Sequence, residues 1–418
     1  MRHFVILILL LAIPDFTAAQ DWPCFRGPHH NGHAEGKFPT QWGPGQNIKW
    51  KIQLPGLGNS SPIVLGDKVF VAMAEEKGRK RSLRSYDAAT GKPGWFQVVE
   101  FQGKEPTHET NPYAGSTPAS DGKRIVLWHG TPGLFCYDLN GKQLWKLDLG
   151  PVKHIWGYGS SPVIHEGLVY LNVGPGANSF VIAMDLATGK EVWRAAETDG
   201  ADDENPKSTS GRDKWIGSWA TPVVAKVDGK NQLIVSMPHR MQGFDLKTGK
   251  VIWKCQGFGT LTYTDAHVGD KFAIGSGGYG GPIFGLKLGG EGDITEKNRL
   301  WRNENDNPQR IGSGIIVGEH FYIVNENGVA QCLHIPTGKE LWKSRLPSGG
   351  NYWASSTLAD GKIYAFSQAG KGIVIEANPD AFKLISENEC GEGTNATPAF
   401  SGGRVFHRTY SGLLCIEQ

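Results

Sequence analysis

The stretch Asp185-Leu186-Ala187-Thr188-Gly189-Lys190-Glu191-Val192-Trp193 decides the fold. It follows an apolar run, Phe180 to Met184, and Thr188-Gly189 supplies a tight turn, because glycine takes φ > 0 at no steric cost. Glu191-Val192-Trp193 resumes extended chain, so the whole reads as a β-hairpin with an aromatic anchor on its second strand. The pattern returns at Asp87–Trp95, Asp138–Trp145, Asp245–Trp253 and His334–Trp342.

Trp50, Trp95, Trp145, Trp193, Trp253, Trp301 and Trp342 mark the ends of successive units. From Trp50 to Trp342 the chain advances 292 residues in six steps, about 49 per unit, a period that belongs to four-stranded propeller blades. Each unit has an opening: Ser60-Ser61-Pro62, Ser116-Thr117-Pro118, Ser160-Ser161-Pro162, Ala220-Thr221-Pro222, Thr264-Asp265-Ala266, Ser313-Gly314, Ser355-Ser356-Thr357 and Ala396-Thr397-Pro398. Eight openings predict an all-β, eight-bladed β-propeller of four-stranded antiparallel blades. The last unit ends at its third strand, Leu413–Glu417, whereas Ile48-Lys49-Trp50-Lys51 is a fourth strand without the other three. Pairing these two satisfies both open edges and closes the ring. The repeated tryptophans occupy one register in different blades, which assigns them a structural role. Two units depart from the pattern: blade five has a longer hairpin loop, Leu288 to Asn298, and blade seven has Asn378-Pro379-Asp380 at its turn and no tryptophan. Blade four carries an extra stretch, Glu197 to Lys214.

At the N-terminus, Met1-Arg2-His3, an apolar run from Phe4 to Ile13 and the small residues Thr17-Ala18-Ala19 read as a secretory signal peptide over residues 1–19. The run is short of the ~20 residues that a spanning helix needs. The expected organisation is then a signal peptide, an N-terminal extension at 20–46 packing on the propeller, and the propeller itself at 47–418. The expected location is secreted or periplasmic, with no membrane anchor. Lys+Arg and Asp+Glu number 43 and 41, a balance that argues against a nucleic-acid partner, which would need a concentrated basic face. The chain is expected to be a monomer.

Six cysteines in an exported chain invite disulfides. Two residues before the hairpin Asp position stand Ser85, Cys136, Ala183, Gly243, Gly285, Cys332 and Cys415, all small. Cys136, Cys332 and Cys415 therefore read as buried thiols filling a position that admits only small side chains. Cys24, Cys255 and Cys390 remain, and the order of the chain is compatible with a Cys24–Cys390 bridge. No cysteine or histidine spacing points to zinc, and no nucleophile elbow or zinc-protease helix is present. Asp199, Asp202, Asp203 and Glu204 lack the spacing of a calcium loop and read as a solvated acidic loop.

The segments leading into the blade openings line one mouth of a propeller's channel. They carry His108 and Tyr113; His154, Trp156 and Tyr158; Arg212, Lys214, Trp215 and Trp219; Tyr263, Thr264 and Asp265; Arg310; Asn351, Tyr352 and Trp353; and Glu392 and Asn395. Aromatic planes beside charges and amides suit sugars, peptides or a flat cofactor. The expected ligand-binding set is Trp156, Tyr158, Trp219, Tyr263, Arg310, Tyr352 and Trp353.

The repeated D-x-x-T-G-K-x-x-W hairpin resembles that of the pyrroloquinoline-quinone (PQQ) repeat family, which includes quinoprotein alcohol dehydrogenases and BamB, a component of the outer-membrane barrel-assembly machinery. The opening Asp21-Trp22-Pro23-Cys24-Phe25-Arg26-Gly27-Pro28 resembles the start of exported bacterial proteins with this repeat. The resemblance implies the propeller fold and two function classes. One is a non-catalytic scaffold, with no cofactor, that binds a protein, peptide or glycan at the channel rim. The other is a PQQ-dependent dehydrogenase oxidising alcohols or sugars, which in the family holds PQQ between a tryptophan floor and an adjacent-cysteine disulfide, with calcium and an aspartate base. In that alternative Asp265 is the candidate base and Trp156, Trp219 or Trp353 the floor. The sequence has no adjacent cysteine pair and fixes no metal site, so the scaffold reading is preferred.

Overall fold

A computed structural model describes residues 20–176, 179–197, 216–278, 280–304 and 311–418. Residues 1–19, expected from the sequence to be a signal peptide, the acidic residues Asp199 to Glu204, and Arg212, Lys214, Trp215 and Arg310 lie outside the described residues.

Eight antiparallel four-stranded sheets follow one another along the chain, from Ile63–Leu65 of blade one to Gly412–Ile416 of blade eight. The eighth is completed by Ile48–Gln53, which pairs antiparallel with Gly412–Ile416 in the register Ile48↔Ile416, Trp50↔Cys415 and Ile52↔Leu413. This is the closure that the two incomplete ends of the repeat predict. Among the described residues, seven clusters of buried apolar side chains fill the structure, most of them at the seams between neighbouring blades.

The hairpin motif is a lock between blades. In turns that carry it the Asp carboxylate organises the loop: Asp185 Oδ1 accepts from the Thr188 amide at 2.8 Å and from its hydroxyl at 2.6 Å, and Asp245 does the same with Thr248 at 2.9 and 2.7 Å. The turn glycine then meets the tryptophan of the preceding blade. Gly189, at φ 71°, lies on the Trp145 ring so closely that a Cβ would stand 2.7 Å from it. Trp145 Nε1 donates to Leu186 O of the same turn at 2.9 Å. The same bond joins Trp50 to Ala88, Trp95 to Leu139, Trp193 to Leu246, Trp301 to Ile335 and Trp342 to Asn378, at 2.6 to 3.2 Å. Glycine is required twice over, for its positive φ and for the indole it carries.

The degenerate blades show what the motif does by how they replace it. Blade five has no such turn for Trp253 to dock on, so Trp253 donates instead to Gln232 Oε1 of its own blade at 2.8 Å. The long loop of blade five covers blade four, adding Gly292–Asp293 as a parallel fifth strand beside Trp253–Lys254. In blade seven, Ser386 opposes Val374 at the register that tryptophan takes elsewhere. There Trp42 of the N-terminal segment supplies the indole, stacked 5.7 Å from Phe366 and 6.5 Å from Tyr364, with its amide donating to Asn388.

All six cysteines are buried free thiols. Cys136, Cys332 and Cys415 each face the tryptophan of the neighbouring strand, Trp145, Trp342 and Trp50, which explains the restriction to small residues. Cys24 and Cys390 do not form the bridge that chain order allows: Cys24 Sγ donates to Gly27 O at 3.0 Å, and Cys390 Sγ takes the Trp42 indole N–H at 3.5 Å.

Trp193 and Trp253 are 8% and 0% exposed. Trp193→Ala and Trp253→Ala are each expected to lower stability by about 3–5 kcal/mol through lost burial and the cavity left behind. Chemical denaturation checks this, and unchanged midpoints for both would remove the locking role.

Candidate functional site

At each blade opening the chain turns from the rim into the innermost strand, and there one residue per blade faces the channel. Their side chains form a closed belt. The Ser61 amide donates to Thr117 Oγ1, Thr117 to Ser161, Ser161 to Thr221, Thr221 to Asp265, Asp265 to Ser313, Ser313 to Ser355, Ser355 to Thr397, and Thr397 back to Ser61, all at 2.8 to 3.2 Å. Seven members are Ser or Thr; the eighth is Asp265. The openings were legible in the sequence, but their hydroxyls look like ordinary turn residues until the ring is closed.

Above this belt lies a cavity of about 740 Å³. Its walls carry Trp156, Trp219, Tyr263 and Trp353, with Leu261 and Ile311 among the apolar lining and Asn59, Asn111 and Asn395 among the polar. Trp219 and Tyr263 are set side by side because Gly217–Ser218 and Leu261–Thr262 pair as a short parallel bridge between blades four and five; their ring centroids are 5.0 Å apart. Trp156 lies 6.0 Å from Trp219, and buried His154 meets the same indole edge-on at 4.9 Å. Burial pushes the His154 imidazole down to about 4, so at neutral pH it is an uncharged packing group.

The rim loops are laced across blades. Asn111 Nδ2 donates to the carbonyls of Trp156 and Tyr158 at 2.8 and 2.9 Å, and Thr110 O accepts from Asn59 and Asn395 at 2.8 and 3.2 Å. The loop that carries Asn111 is itself tied down by an Arg81–Glu105 pair at 2.8 Å whose side chains are each 1% exposed.

Of the sequence-derived ligand-binding set, Trp156, Trp219, Tyr263 and Trp353 come together on the cavity. Tyr158 and Tyr352 turn away: Tyr158 packs 4.8 Å from Trp128 with its hydroxyl donating to Tyr113 O, and Tyr352 is 1% exposed with its hydroxyl 3.1 Å from Ser348 Oγ. Tyr113 and Glu392 also serve packing, the first beneath the Arg81 guanidinium, the second accepting from Thr409 and Ser411.

The N-terminal segment contributes a part that blade periodicity does not reveal. Trp22 bridges to Val64 of blade one, the Ser120 amide of blade two donates to Pro23 O, Arg26 Nη2 donates to Gly314 O of blade six, and His33–Ala34 pairs with blade seven. The segment thus crosses the channel beyond the belt, on the side away from the rim, and Phe25 lines the cavity there.

Burial pushes the Asp265 carboxyl up to about 6, with Arg26 and the Thr221 amide pulling it back. Its Oδ1 takes the belt hydrogen bond, and it stands on the cavity lining. PQQ is a flat tricarboxylate, and the described lining offers aromatic planes but no Lys or Arg for its carboxylates. No cysteine lines the cavity, and no cluster of three metal-ligating side chains occurs among the described residues. The described lining therefore does not fit PQQ held by a disulfide and a calcium ion.

Residues 79–273 match the family model described as outer membrane protein assembly factor BamB. A polyvinylalcohol dehydrogenase of Sphingopyxis sp. is 24% identical over 285 residues, 60% of this chain and 42% of that protein. A second, from Pseudomonas sp., is 24% identical over 238 residues, 50% of this chain and 36% of that protein. The chain thus spans about two fifths of the length of these curated relatives. Among solved structures, a europium-containing methanol dehydrogenase superposes with a TM-score of 0.68 at 12% identity, covering 94% of this chain and 90% of its own. BamB from Moraxella catarrhalis superposes at 0.62 and 13% identity, covering 89% and 97%. At these identities the likeness shows the fold alone.

Proposed function

We propose that this eight-bladed propeller of the PQQ-repeat type is an exported, non-catalytic binding protein whose central cavity receives a hydroxyl-rich ligand, a glycan in first place. The observation that carries this reading is the chemistry of the described lining. Ser, Thr and Asn side chains both donate and accept hydrogen bonds, and so do the hydroxyls of a sugar. Indole and phenol faces cover the apolar faces of a sugar ring. A carboxylate or phosphate ligand would need cations that the described walls do not carry. Polyvinyl alcohol, in the name of the matched relatives, is likewise a chain of hydroxyls.

The second reading is a PQQ-dependent dehydrogenase, favoured by the names of those relatives and by the raised pKa of Asp265, a carboxyl near neutrality in a cavity. One experiment separates the two. Purified protein is titrated with neutral oligosaccharides of glucan, mannan and xylan while tryptophan fluorescence is followed, and in parallel is mixed with PQQ and calcium. Saturable quenching by an oligosaccharide, with no quinone absorption band and no dye reduction by alcohols, is the expected result. A quinone band with alcohol-dependent dye reduction establishes the enzyme instead. Silence from every oligosaccharide removes the glycan reading.

A further inference from the structure

The belt poses a question that its hydrogen bonds do not answer. Seven of eight positions are Ser or Thr, and the Thr221 amide would be satisfied by a hydroxyl as well as by the Asp265 carboxylate that it meets at 2.8 Å. A carboxylate at this position brings a buried charge, which costs free energy that a threonine would not. Its second oxygen takes no hydrogen bond from any described residue.

Beneath it lies a second anomaly. Arg26 is 3% exposed, and its Nη2 donates to the carbonyls of Asn31 and Gly314 at 2.8 and 2.7 Å. Its Nε and Nη1 are buried and have no partner among the described residues. No carboxylate among the described residues bonds it directly. Its backbone sits at φ 63°, a left-handed conformation that a non-glycine residue adopts only when its surroundings impose it. The imposing contacts are visible: Gly32 N donates to Arg26 O at 2.9 Å, and Gly27 presses so tightly on the Trp22 ring that a Cβ would stand 2.7 Å from it. The chain holds an unpaired guanidinium under the cavity floor at a cost in backbone strain and in burial.

We propose that Arg26 and Asp265 act as one unit in ligand recognition: the guanidinium beneath the belt keeps the carboxylate charged, and the free carboxylate oxygen accepts hydroxyl donors of a carbohydrate seated in the cavity. The inference rests on the glycan reading above and names the residues that would give it selectivity. The belt hydroxyls can each donate as well as accept, so they set no direction. Asp265 accepts only, and a charged acceptor forms the stronger bond. It thereby favours a ligand that turns free hydroxyls to the floor over one whose oxygens are ethers. Arg26 is a positioning residue, since it is not part of the described cavity lining.

The unit also predicts a pH dependence. Among the described residues, Arg26 is the charge that bears on Asp265; His267, two residues along, accepts the Gly314 amide proton on Nε2 and so donates Nδ1–H to Ile274 O as a neutral ring. His108 lies on the cavity lining as well. With a carboxyl that titrates near 6, affinity is full above that pH and falls as the pH drops through it.

The test uses the full-length mature protein, with maltotriose and cellotriose as probes. Asp265→Thr installs the residue type that other blades use at this position, so the belt and the melting temperature should survive. Tryptophan fluorescence titration at pH 7.5 should show binding weakened about 10- to 100-fold, the loss expected for one hydrogen bond to a charged group. Permethylated maltotriose, which has no hydroxyl donor, should not bind the wild type. Independently of any ligand, pH-difference infrared spectroscopy, corrected with Asp265→Asn, follows the carboxyl itself. Its midpoint should rise by about one unit in Arg26→Met and stay in place in Arg26→Lys. An unmoved midpoint in a folded Arg26→Met protein overturns the coupling. Equal affinity of Asp265→Thr and wild type overturns the recognition role while leaving the glycan reading intact. No binding of either trisaccharide by the wild type overturns the proposal whatever the midpoints show, and the wider oligosaccharide panel then decides whether the glycan reading falls with it.

Discussion

A chain that begins after Gln53 is expected to fail to form a closed ring, and to be recovered as aggregate rather than as a monomer with a cooperative melt. The strand it lacks, Ile48–Gln53, is the outer strand of blade eight, paired along its length with Gly412–Ile416. Leu413, Leu414, Cys415 and Ile416 are all 0% exposed, and without a partner they would present a fully apolar, unpaired strand edge. The loss is larger than one strand's hydrogen bonds, because Trp50 is also the lock between blades eight and one. It packs 6.0 Å from Phe406, its Nε1 reaches Ala88 O at 3.2 Å, and Gly91 of the first hairpin lies on its ring. The Lys49–Glu417 ion pair adds little, since both side chains are solvated. A chain beginning at Gln46 keeps the strand and separates the two contributions. It should remain monomeric but melt lower, having lost Trp22, Phe38 and Trp42, which are 1%, 8% and 3% exposed. Size-exclusion chromatography and thermal melts of the two truncations check this. A monodisperse, normally melting protein beginning after Gln53 would show that the ring does not depend on its closure.

Much of this architecture was legible because one motif performs one physical task in most of the blades. Asp, Thr and Gly shape a turn, and Trp from the blade before lies on it, so the four residue types recur together. Where the sequence departs from the motif, the compensation comes from parts remote in the chain and could not be read locally. Trp42 serves blade seven from over three hundred residues away, and the blade-five loop folds back on blade four. The site was legible in location but not in membership. Tyr158 stands two residues after Trp156 and Tyr352 immediately before Trp353, yet in each pair the tyrosine enters a blade while the tryptophan faces the cavity. Nothing in residue type distinguishes them; the direction of the rim backbone does. Phe25 and Arg26 escaped for another reason. They belong to no repeat, and only the crossing of the channel by residues 22–34 brings them beneath Asp265.

Trp156→Ala with Trp353→Ala is expected to weaken ligand binding by about two orders of magnitude while leaving the ring folded. Each indole supplies a large, rigid face, and an aromatic contact is worth roughly 0.5–1.5 kcal/mol beyond the area it buries. Two such contacts and the apolar area lost with them reach about 100-fold in affinity. Both side chains are only half-buried, in contrast to Trp193 and Trp253 at 8% and 0% exposed, and the Trp353 Nε1 has no hydrogen-bond partner among the described residues to lose. Trp219 is the instructive comparison. It is 9% exposed, donates to Gly157 O at 3.0 Å and packs edge-on against His154 and Tyr263, so Trp219→Ala should lower both affinity and melting temperature. The three variants therefore separate recognition from rim packing. Fluorescence titration of the single tryptophan-to-alanine proteins with the best-binding oligosaccharide, and calorimetric titration of the double variant, give the affinities; thermal melts give the stabilities. If the double variant binds as wild type does, the cavity walls are not the recognition surface. If it instead loses binding and unfolds together, the two indoles are structural and the ligand contacts lie elsewhere on the rim.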